Sequence, residues 1–363
     1  MVITKQKRLS TLLKNFVLSQ DDLQMAFIYS REGLLIEKFG KIAETTLNDD
    51  DIDAIHGAIS AQIESLLERI STEYEIGSFG TGSFETPDHR IIYLEAGPDA
   101  ILLCVCSYHT DLNKLFTVAY LVVEKIAEIL EDSFDPKYQS LSIPDLKIAD
   151  DYNLKLSNFA VKDPEVEGEN IKMSHHIQTT KSRPRYFKLI LLGSKAVGKT
   201  TLVNSFLKNE RVLDYRPTLG TAISKKDYYL QGFKDDKVKF LIYDLAGQDF
   251  FKRVRHDYYE GANCAFIVYD VTRPETFDEA LNFWYKDARK ELGNIPFVLV
   301  GNKIDLEDQR EVSKEEGFTQ SEKIRSLFIE TSALENVNVQ DAFKLIGIDL
   351  VFQSLGDNLS EGN

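Results

Sequence analysis

The sequence predicts two domains of different fold class: an α+β domain with an antiparallel sheet, then an α/β domain with a mostly parallel sheet. The chain has 363 residues, more than the roughly 150 of one ordinary domain. Residues 1–132 carry short strands separated by turns, which favours antiparallel pairing. Residues 185–363 begin with an apolar strand, a glycine-rich loop and a helix, which is typical of an α/β fold.

The first predicted element is a helix, followed by a hairpin. Apolar residues recur at three-and-four spacing and form one stripe, which predicts a helix: Leu9, Leu12, Leu13, Phe16 and Val17. The apolar runs 25–29 and 34–39 then flank a turn, where Gly33 supplies the permissive backbone that a hairpin needs.

A second helix is predicted over residues 52–71, because carboxylates at 49–51 precede a long apolar stripe and favour a helix N-terminus. Strands over 75–84, 90–95 and 100–108 and a helix over 111–130 complete the domain. The order of elements predicts a five-stranded antiparallel sheet with helices packed on its faces.

This element order and the run FIYSREGLLIEKFG (27–40) resemble the roadblock (LC7) family of longin-like folds; an unrelated small α+β domain is the alternative. The resemblance implies a homodimer or heterodimer formed through the second helix and the third strand. It also implies a role in scaffolding or stimulating small GTPases.

Residues 133–184 are interpreted as an acidic, proline-containing linker with little sustained periodicity. Pro136, Pro144 and Pro164 fall in this segment. The adjacent His175 and His176 have no nearby carboxylate or cysteine cluster, so no metal site is assigned to them.

The apolar run 187–192 leads into a P-loop pattern, GSKAVGKT, followed by helical apolar spacing. In such a loop, backbone N–H groups surround phosphate oxygens at a helix N-terminus. Lys199 is expected to reach the β- and γ-phosphates, and the Thr200 hydroxyl to bind magnesium. The candidate phosphate-binding residues are Gly193, Ser194, Lys195, Ala196, Val197, Gly198, Lys199, Thr200 and Thr201.

Three further patterns complete the predicted pocket. Asp244 ends an apolar strand beside the P-loop, where a carboxylate holds magnesium through water, and Gly247 lets a backbone N–H approach the γ-phosphate. Asp305 follows another apolar strand; its carboxylate matches the two N–H donors of guanine, and adenine lacks that pair. The loop Ser332, Ala333 and Leu334 places a backbone N–H near the guanine oxygen.

These ordered patterns resemble the Ras superfamily of small GTPases over 186–351, and the run YYEGANCAFIVYDVTRPETF (258–277) is most similar to its Rab branch. The resemblance implies a P-loop NTPase fold with a six-stranded sheet, GTP/GDP and Mg²⁺ as cofactors, and slow GTP hydrolysis. It also implies effectors or regulators at the switch regions. The roles carried over are magnesium binding by Thr218, water orientation by Gln248, and guanine binding by Asn302 and Lys303.

Two residues depart from the Ras pattern. Lys195 stands where relatives carry a small residue that admits an arginine finger, which adds roughly three to five orders of magnitude in rate. It either obstructs the finger, substitutes for it, or points to solvent. Arg211 replaces an aromatic residue beside the base and offers a guanidinium plane for stacking.

Composition limits the partners. A formal charge of −15 argues against nucleic acid or an anionic membrane as a general ligand. Three cysteines and no apolar leader or lipidation pattern lead us to expect a cytoplasmic protein without a direct lipid anchor. A guanine-nucleotide-binding scaffold with negligible hydrolysis is the alternative function.

Overall fold

The structure is a computed structural model that describes residues 4–41, 79–85, 89–146, 160–161, 172–177, 185–207, 221–230, 236–245 and 256–360. The predicted second helix, residues 52–71, lies outside the described residues.

The described residues of the N-terminal half follow the predicted order of elements. They are α1 (Lys5–Ser19), β1 (Leu23–Ser30), β2 (Leu35–Gly40), β3 (Phe79–Glu85), β4 (His89–Ala96), β5 (Ala100–Ser107) and α2 (Leu112–Leu130). The five strands form an antiparallel sheet in the order β2-β1-β5-β4-β3. The five apolar residues that predicted α1 are all buried. The N-cap Thr4 accepts a hydrogen bond from the backbone N–H of Lys7, which satisfies one free donor at the helix start.

The segment interpreted as a linker contributes two strands that the sequence analysis did not predict. They are β6 (Ala160–Val161) and β7 (Lys172–Ile177). β7 pairs antiparallel with β3 and β6 pairs with β7, so the sheet has seven strands. The exposed edge of a strand presents unpaired N–H and C=O groups, which a further strand satisfies without needing an apolar sequence of its own. His175 and His176 lie in β7, paired in register with β3.

The C-terminal half is an α/β domain. Its elements are β8 (Arg185–Leu192), α3 (Lys199–Phe206), β9 (Thr221–Leu230), β10 (Asp236–Leu245), α4 (His256–Tyr259), β11 (Cys264–Asp270), α5 (Pro274–Glu279), a π-helical turn (Ala280–Tyr285), α6 (Lys286–Leu292), β12 (Phe297–Asn302), a 3₁₀ turn (Ile304–Gln309), α7 (Lys314–Ile324), β13 (Leu327–Thr331) and α8 (Val339–Ser360). Helix α8 continues to Ser360, and the short disordered C-terminal tail that the sequence predicts after the domain stays a prediction.

The six strands are ordered β13-β12-β11-β8-β10-β9, and every pair is parallel except β10 with β9. This confirms the predicted mostly parallel six-stranded sheet. Side chains of α3 and α8 join the apolar core on one face, and side chains from the run 259–288 join the core on the other. The carboxyl ends of β8, β10, β12 and β13 meet at one edge of the sheet, where α/β folds place their ligands.

The two halves share one apolar core. The cluster on the α3 and α8 face also contains the buried apolar residues of α1 and α2. Residues 133–146, which we call the strap, connect α2 with this interface and were predicted to be part of a linker. Within the described residues, no helix is long and apolar enough to cross a membrane.

Candidate functional site

The P-loop leaves the end of β8 and enters α3, and two of its glycines are required by its path. Gly193 and Gly198 have φ angles of +145° and +100°, which L residues rarely adopt. A Cβ at Gly193 would lie 2.2 Å from the carbonyl oxygen of Val268, and one at Gly198 would lie 2.3 Å from Nδ2 of Asn302. The loop therefore passes directly against β11 and the end of β12.

Lys199 begins α3 and its side chain is buried inside the loop. Its Nζ donates hydrogen bonds to the carbonyl oxygens of Gly193 and Ser194 at 2.8 and 2.9 Å. Burial lowers the pKa of Lys199 to about 8, and the nearby Asp244 carboxylate opposes this shift. An anionic phosphate at the loop would favour the charged ammonium.

Thr200 and Asp244 come together as the sequence analysis expected. The Thr200 hydroxyl donates to Oδ2 of Asp244 at 2.5 Å. Oδ1 of Asp244 is buried without a hydrogen-bond partner among the described residues. Burial raises the pKa of Asp244, and the Thr200 hydrogen bond and the Lys199 charge oppose this rise. An orphaned carboxylate oxygen beside a hydroxyl fits a hard divalent cation such as Mg²⁺, which prefers oxygen ligands and keeps water in its shell.

Asn302 ends β12 and has a connecting role that the sequence analysis did not foresee. Its Nδ2 donates to the carbonyl oxygen of Val197 at 2.8 Å. Its Oδ1 accepts from the Thr331 hydroxyl at 3.0 Å and from the backbone N–H of Ala333 at 3.1 Å. The amide thus joins the P-loop to the predicted base-binding loop, and both ends of the amide are engaged within the protein.

Asp305 lies beside the base-binding loop. The Ser332 hydroxyl donates to Oδ1 of Asp305 at 2.5 Å and accepts from the backbone N–H of Glu335 at 3.0 Å. Leu334 is exposed on the same loop. Lys303, with φ +74°, forms an ion pair with Asp270 at 2.5 Å. The Asp305 carboxylate and the backbone of residues 332–334 therefore lie together, as base recognition requires.

Arg273 is a site residue that the sequence analysis missed. Its Nε pairs with Oδ2 of Asp270 at 3.0 Å, and its Nη2 donates to the carbonyl oxygen of Lys195 at 3.1 Å. The side chain of Lys195 is exposed. Arg273 thus links the P-loop backbone to Asp270, which also forms the ion pair with Lys303. The run that includes Arg273 was used only as a family likeness, and nothing local in it indicated this contact.

Ser194 was assigned to phosphate binding, but its hydroxyl faces helix α5 and the π-helical turn. It donates to the Glu279 carboxylate and accepts from Nε1 of Trp284 at 3.4 Å. Thr201 is exposed in the first turn of α3, and Ala196 has φ +63°. Thr218, Gly247, Gln248 and Arg211 lie outside the described residues.

Comparisons with known proteins agree with this geometry. Residues 188–351 match the Ras family. The human Ras-related protein Rab-17 is 41% identical over 177 residues, which cover 48% of this chain and 80% of that protein. The Arabidopsis thaliana Ras-related protein RABA6a is 38% identical over 177 residues, covering 49% of this chain and 74% of that protein. The Arabidopsis RABA2a is 40% identical over 161 residues, covering 44% and 72%.

The matched region begins in β8 and ends in α8, so it contains the P-loop, the Thr200–Asp244 pair and the base-binding loop. Ras-family proteins bind GTP and GDP with Mg²⁺ and hydrolyse GTP, which supports hydrolysis over the non-hydrolysing scaffold alternative. Through its C-terminal domain the chain belongs to the Ras family of small GTPases, within which it is Rab-like.

Proposed function

We propose that the protein is a GTP/GDP molecular switch whose nucleotide lies across the carboxyl edge of the C-terminal sheet. The observation that carries the proposal is the meeting of three groups at that edge. These are Lys199 inside the P-loop, the Thr200–Asp244 pair and the Asp305–Ser332 pair. They match the phosphates, the metal ion and the base of one bound nucleotide.

Each site residue is assigned to the phosphates, the base or the metal ion according to its chemistry. The ammonium of Lys199 offsets negative charge on the β- and γ-phosphates, and Asp305 and the backbone of 332–334 select guanine. Thr200 and Thr218 supply oxygen ligands to magnesium, and Asp244 supports the ion through water. When bound, Mg²⁺ neutralises charge between the phosphates.

Hydrolysis converts GTP and water to GDP and inorganic phosphate. Gln248 orients the attacking water in this proposal, and Thr218 and the backbone N–H of Gly247 contact the γ-phosphate. Loss of that phosphate releases both contacts, so a partner that reads the switch segments distinguishes the two nucleotide states. We place the protein in the cytoplasm, without nucleic acid partners.

The N-terminal domain is proposed to be roadblock-like and to regulate the GTPase domain in cis or to form dimers. Its antiparallel β2-β1-β5-β4-β3 order supports the first part. In the described residues β3 pairs with β4 on one side and β7 on the other. A dimer that pairs through β3 therefore requires β7 to leave, whereas one that uses the helix predicted at 52–71 does not. Sedimentation of the full chain tests dimerisation.

Single-turnover GTP hydrolysis by Gln248→Leu tests the switch mechanism. We expect a large loss of rate with nucleotide affinity retained, because the water loses its orienting group. Gln320→Leu on α7 is the matched control and is expected to hydrolyse at the wild-type rate. An unchanged rate in Gln248→Leu would show that the mechanistic assignment is wrong.

A further inference from the structure

The strap, residues 133–146, is held between α2 and α8 by buried polar contacts. Nζ of Lys125 donates to the carbonyl oxygens of Ser140 and Ser142 at 2.6 and 3.2 Å and to Oδ2 of Asp341 at 2.9 Å. A second set of contacts converges on Glu128, whose Oε2 accepts from Gln139 at 2.6 Å and from Lys344 at 2.6 Å. Each set of contacts includes one residue of α8, Asp341 in the first and Lys344 in the second. The strap therefore has a defined position on the GTPase domain.

Asn336 connects the strap to the nucleotide pocket. Its Nδ2 donates to the carbonyl oxygen of Lys137 in the strap at 3.1 Å, and its Oδ1 accepts from the hydroxyl of Ser205 near the end of α3. Asn336 is buried and has φ +61°. It lies in the loop closed by reciprocal backbone hydrogen bonds between Ser332 and Val337 at 3.0 and 3.1 Å. This loop is the one that carries the base-binding residues.

The end of α3 is also held from α8. Nε2 of Gln340 donates to the carbonyl oxygens of Ser205 and Phe206 at 3.3 and 3.0 Å, in the last turn of the helix. The rings of Phe206 and Phe343 stack at 3.8 Å. Helix α3 begins at the P-loop and ends next to Asn336. Asn336 therefore joins the C-terminal end of α3 to the base-binding loop.

We propose that Asn336 is a positioning residue through which the N-terminal domain slows nucleotide dissociation. The strap holds Asn336, and Asn336 holds the base-binding loop and the end of α3 in one arrangement. The nucleotide contacts both elements, so loosening their junction lowers the barrier to its release. The inference rests on the proposed nucleotide site and names a route by which the N-terminal domain regulates that site in cis.

Asn336→Asp in the full chain removes the donor to the strap and places a carboxylate in a buried site. The carboxylate still accepts from Ser205 but no longer donates to Lys137, while Asp tolerates the left-handed backbone. We expect dissociation of a fluorescent GDP analogue to accelerate by at least about threefold to tenfold, because one hydrogen bond is lost and a carboxylate is buried beside the Lys137 carbonyl oxygen. Ser205→Ala breaks the other arm of the junction and is expected to accelerate release to a similar degree.

Asn15→Asp is the matched control. Nδ2 of Asn15 donates to the carbonyl oxygen of Leu141 in the same strap at 2.9 Å, but Asn15 lies on α1 away from the pocket. We expect wild-type dissociation from this variant. Amide hydrogen exchange should rise in residues 332–337 and 203–207 of Asn336→Asp and stay unchanged in α1.

Unchanged dissociation in both Asn336→Asp and Ser205→Ala would overturn the inference. Equal acceleration in Asn15→Asp would also overturn it, because any loosening of the strap would then suffice. Failure of the wild-type chain to bind the GDP analogue would instead overturn the proposed function, so the two failures are distinguishable.

Discussion

Lys125 on α2 and Asp341 on α8 form a buried ion pair across the two halves of the chain, with Nζ and Oδ2 2.9 Å apart. Both side chains are almost fully excluded from solvent. Burial lowers the pKa of Lys125, and Asp341 opposes the shift. The pair therefore fixes the relative position of the two halves, provided that both partners are present.

Lys125→Met is expected to reduce the free energy of unfolding by about 3–5 kcal/mol, because it leaves a buried carboxylate unpaired. The double variant Lys125→Met/Asp341→Leu should recover much of this loss, since no unpaired charge remains. Chemical denaturation measures both. The exposed pair Lys314–Asp145, 2.7 Å apart, is the control, and Lys314→Met should cost less than about 1 kcal/mol. Equal losses in the two single variants would contradict the prediction.

Asp305→Asn is expected to weaken GDP binding about 10²- to 10⁴-fold, because two hydrogen bonds to a charged group contribute about 1.5–3 kcal/mol each. An amide also offers a donor to the C2 oxygen of xanthine, so affinity for xanthosine diphosphate should rise. Nucleotide titrations measure the two affinities. Asp308→Asn, three residues along the same 3₁₀ turn, should leave both unchanged. Retained preference for guanine in Asp305→Asn would place base recognition elsewhere.

Removal of magnesium by a chelator is expected to accelerate GDP release from the wild-type chain. Asp244→Asn should raise the magnesium concentration needed for half-maximal retention about 10- to 100-fold, the usual effect of losing a group that holds a metal's shell. GDP release measured across a magnesium titration tests this. The exposed Asp278 on α5 supplies the control, Asp278→Asn, which should follow the wild-type curve. Magnesium-independent release in the wild type would argue against the site.

Low pH should weaken the contacts through which Asp270 connects the P-loop, by way of Arg273, to Lys303 at the start of the 3₁₀ turn. Burial raises the pKa of Asp270, but hydrogen bonds from Lys303 and Thr272 outweigh it and hold the pKa below the ordinary value. A lowered pKa stabilises the fold above the unfolded pKa, about 3.9, and this stabilisation is lost as pH falls through the folded pKa.

Denaturation midpoints between pH 7 and pH 2 test the role of Asp270, because its stabilisation is lost below the unfolded pKa of about 3.9. Asp270→Asn should lower the free energy of unfolding at pH 7 and make it depend less on pH under acid conditions. Thr272→Val, which removes one of the hydrogen bonds, should give values between those of Asp270→Asn and the wild type. If the stability of Asp270→Asn falls with pH as steeply as that of the wild type, the loss of stability in acid comes from other carboxylates.

Local patterns predicted which strand ends and loops lie at one edge of the C-terminal sheet. The P-loop begins where a buried strand ends and a helix starts, and glycine is required there by positive φ angles and close backbone contacts, as at Gly193. Asp244 and Asp305 were assigned because each follows an apolar strand. Parallel strands end at the same edge, so residues distant in sequence were expected to meet, and they do.

Contacts made by side chains to distant backbone were not predictable. Arg273 reaches the carbonyl oxygen of Lys195 across 78 positions, and Asn336 reaches that of Lys137 across 199. No sequence pattern marks either contact, because the backbone carbonyl that accepts the hydrogen bond is the same chemical group at every residue. The pairing of β7 with β3 was missed for the same reason.

Apart from β6 and β7, the order of the described strands and helices, the P-loop and the family were determined by the sequence alone, since apolar periodicity and glycine positions act over a few residues. The tertiary structure decided that the supposed linker supplies two strands and a strap, and that one core joins both halves. It also decided that Asn302 connects two loops of the pocket. These outcomes depend on which buried polar groups find partners once the chain is packed, and that is settled only when every element is in place.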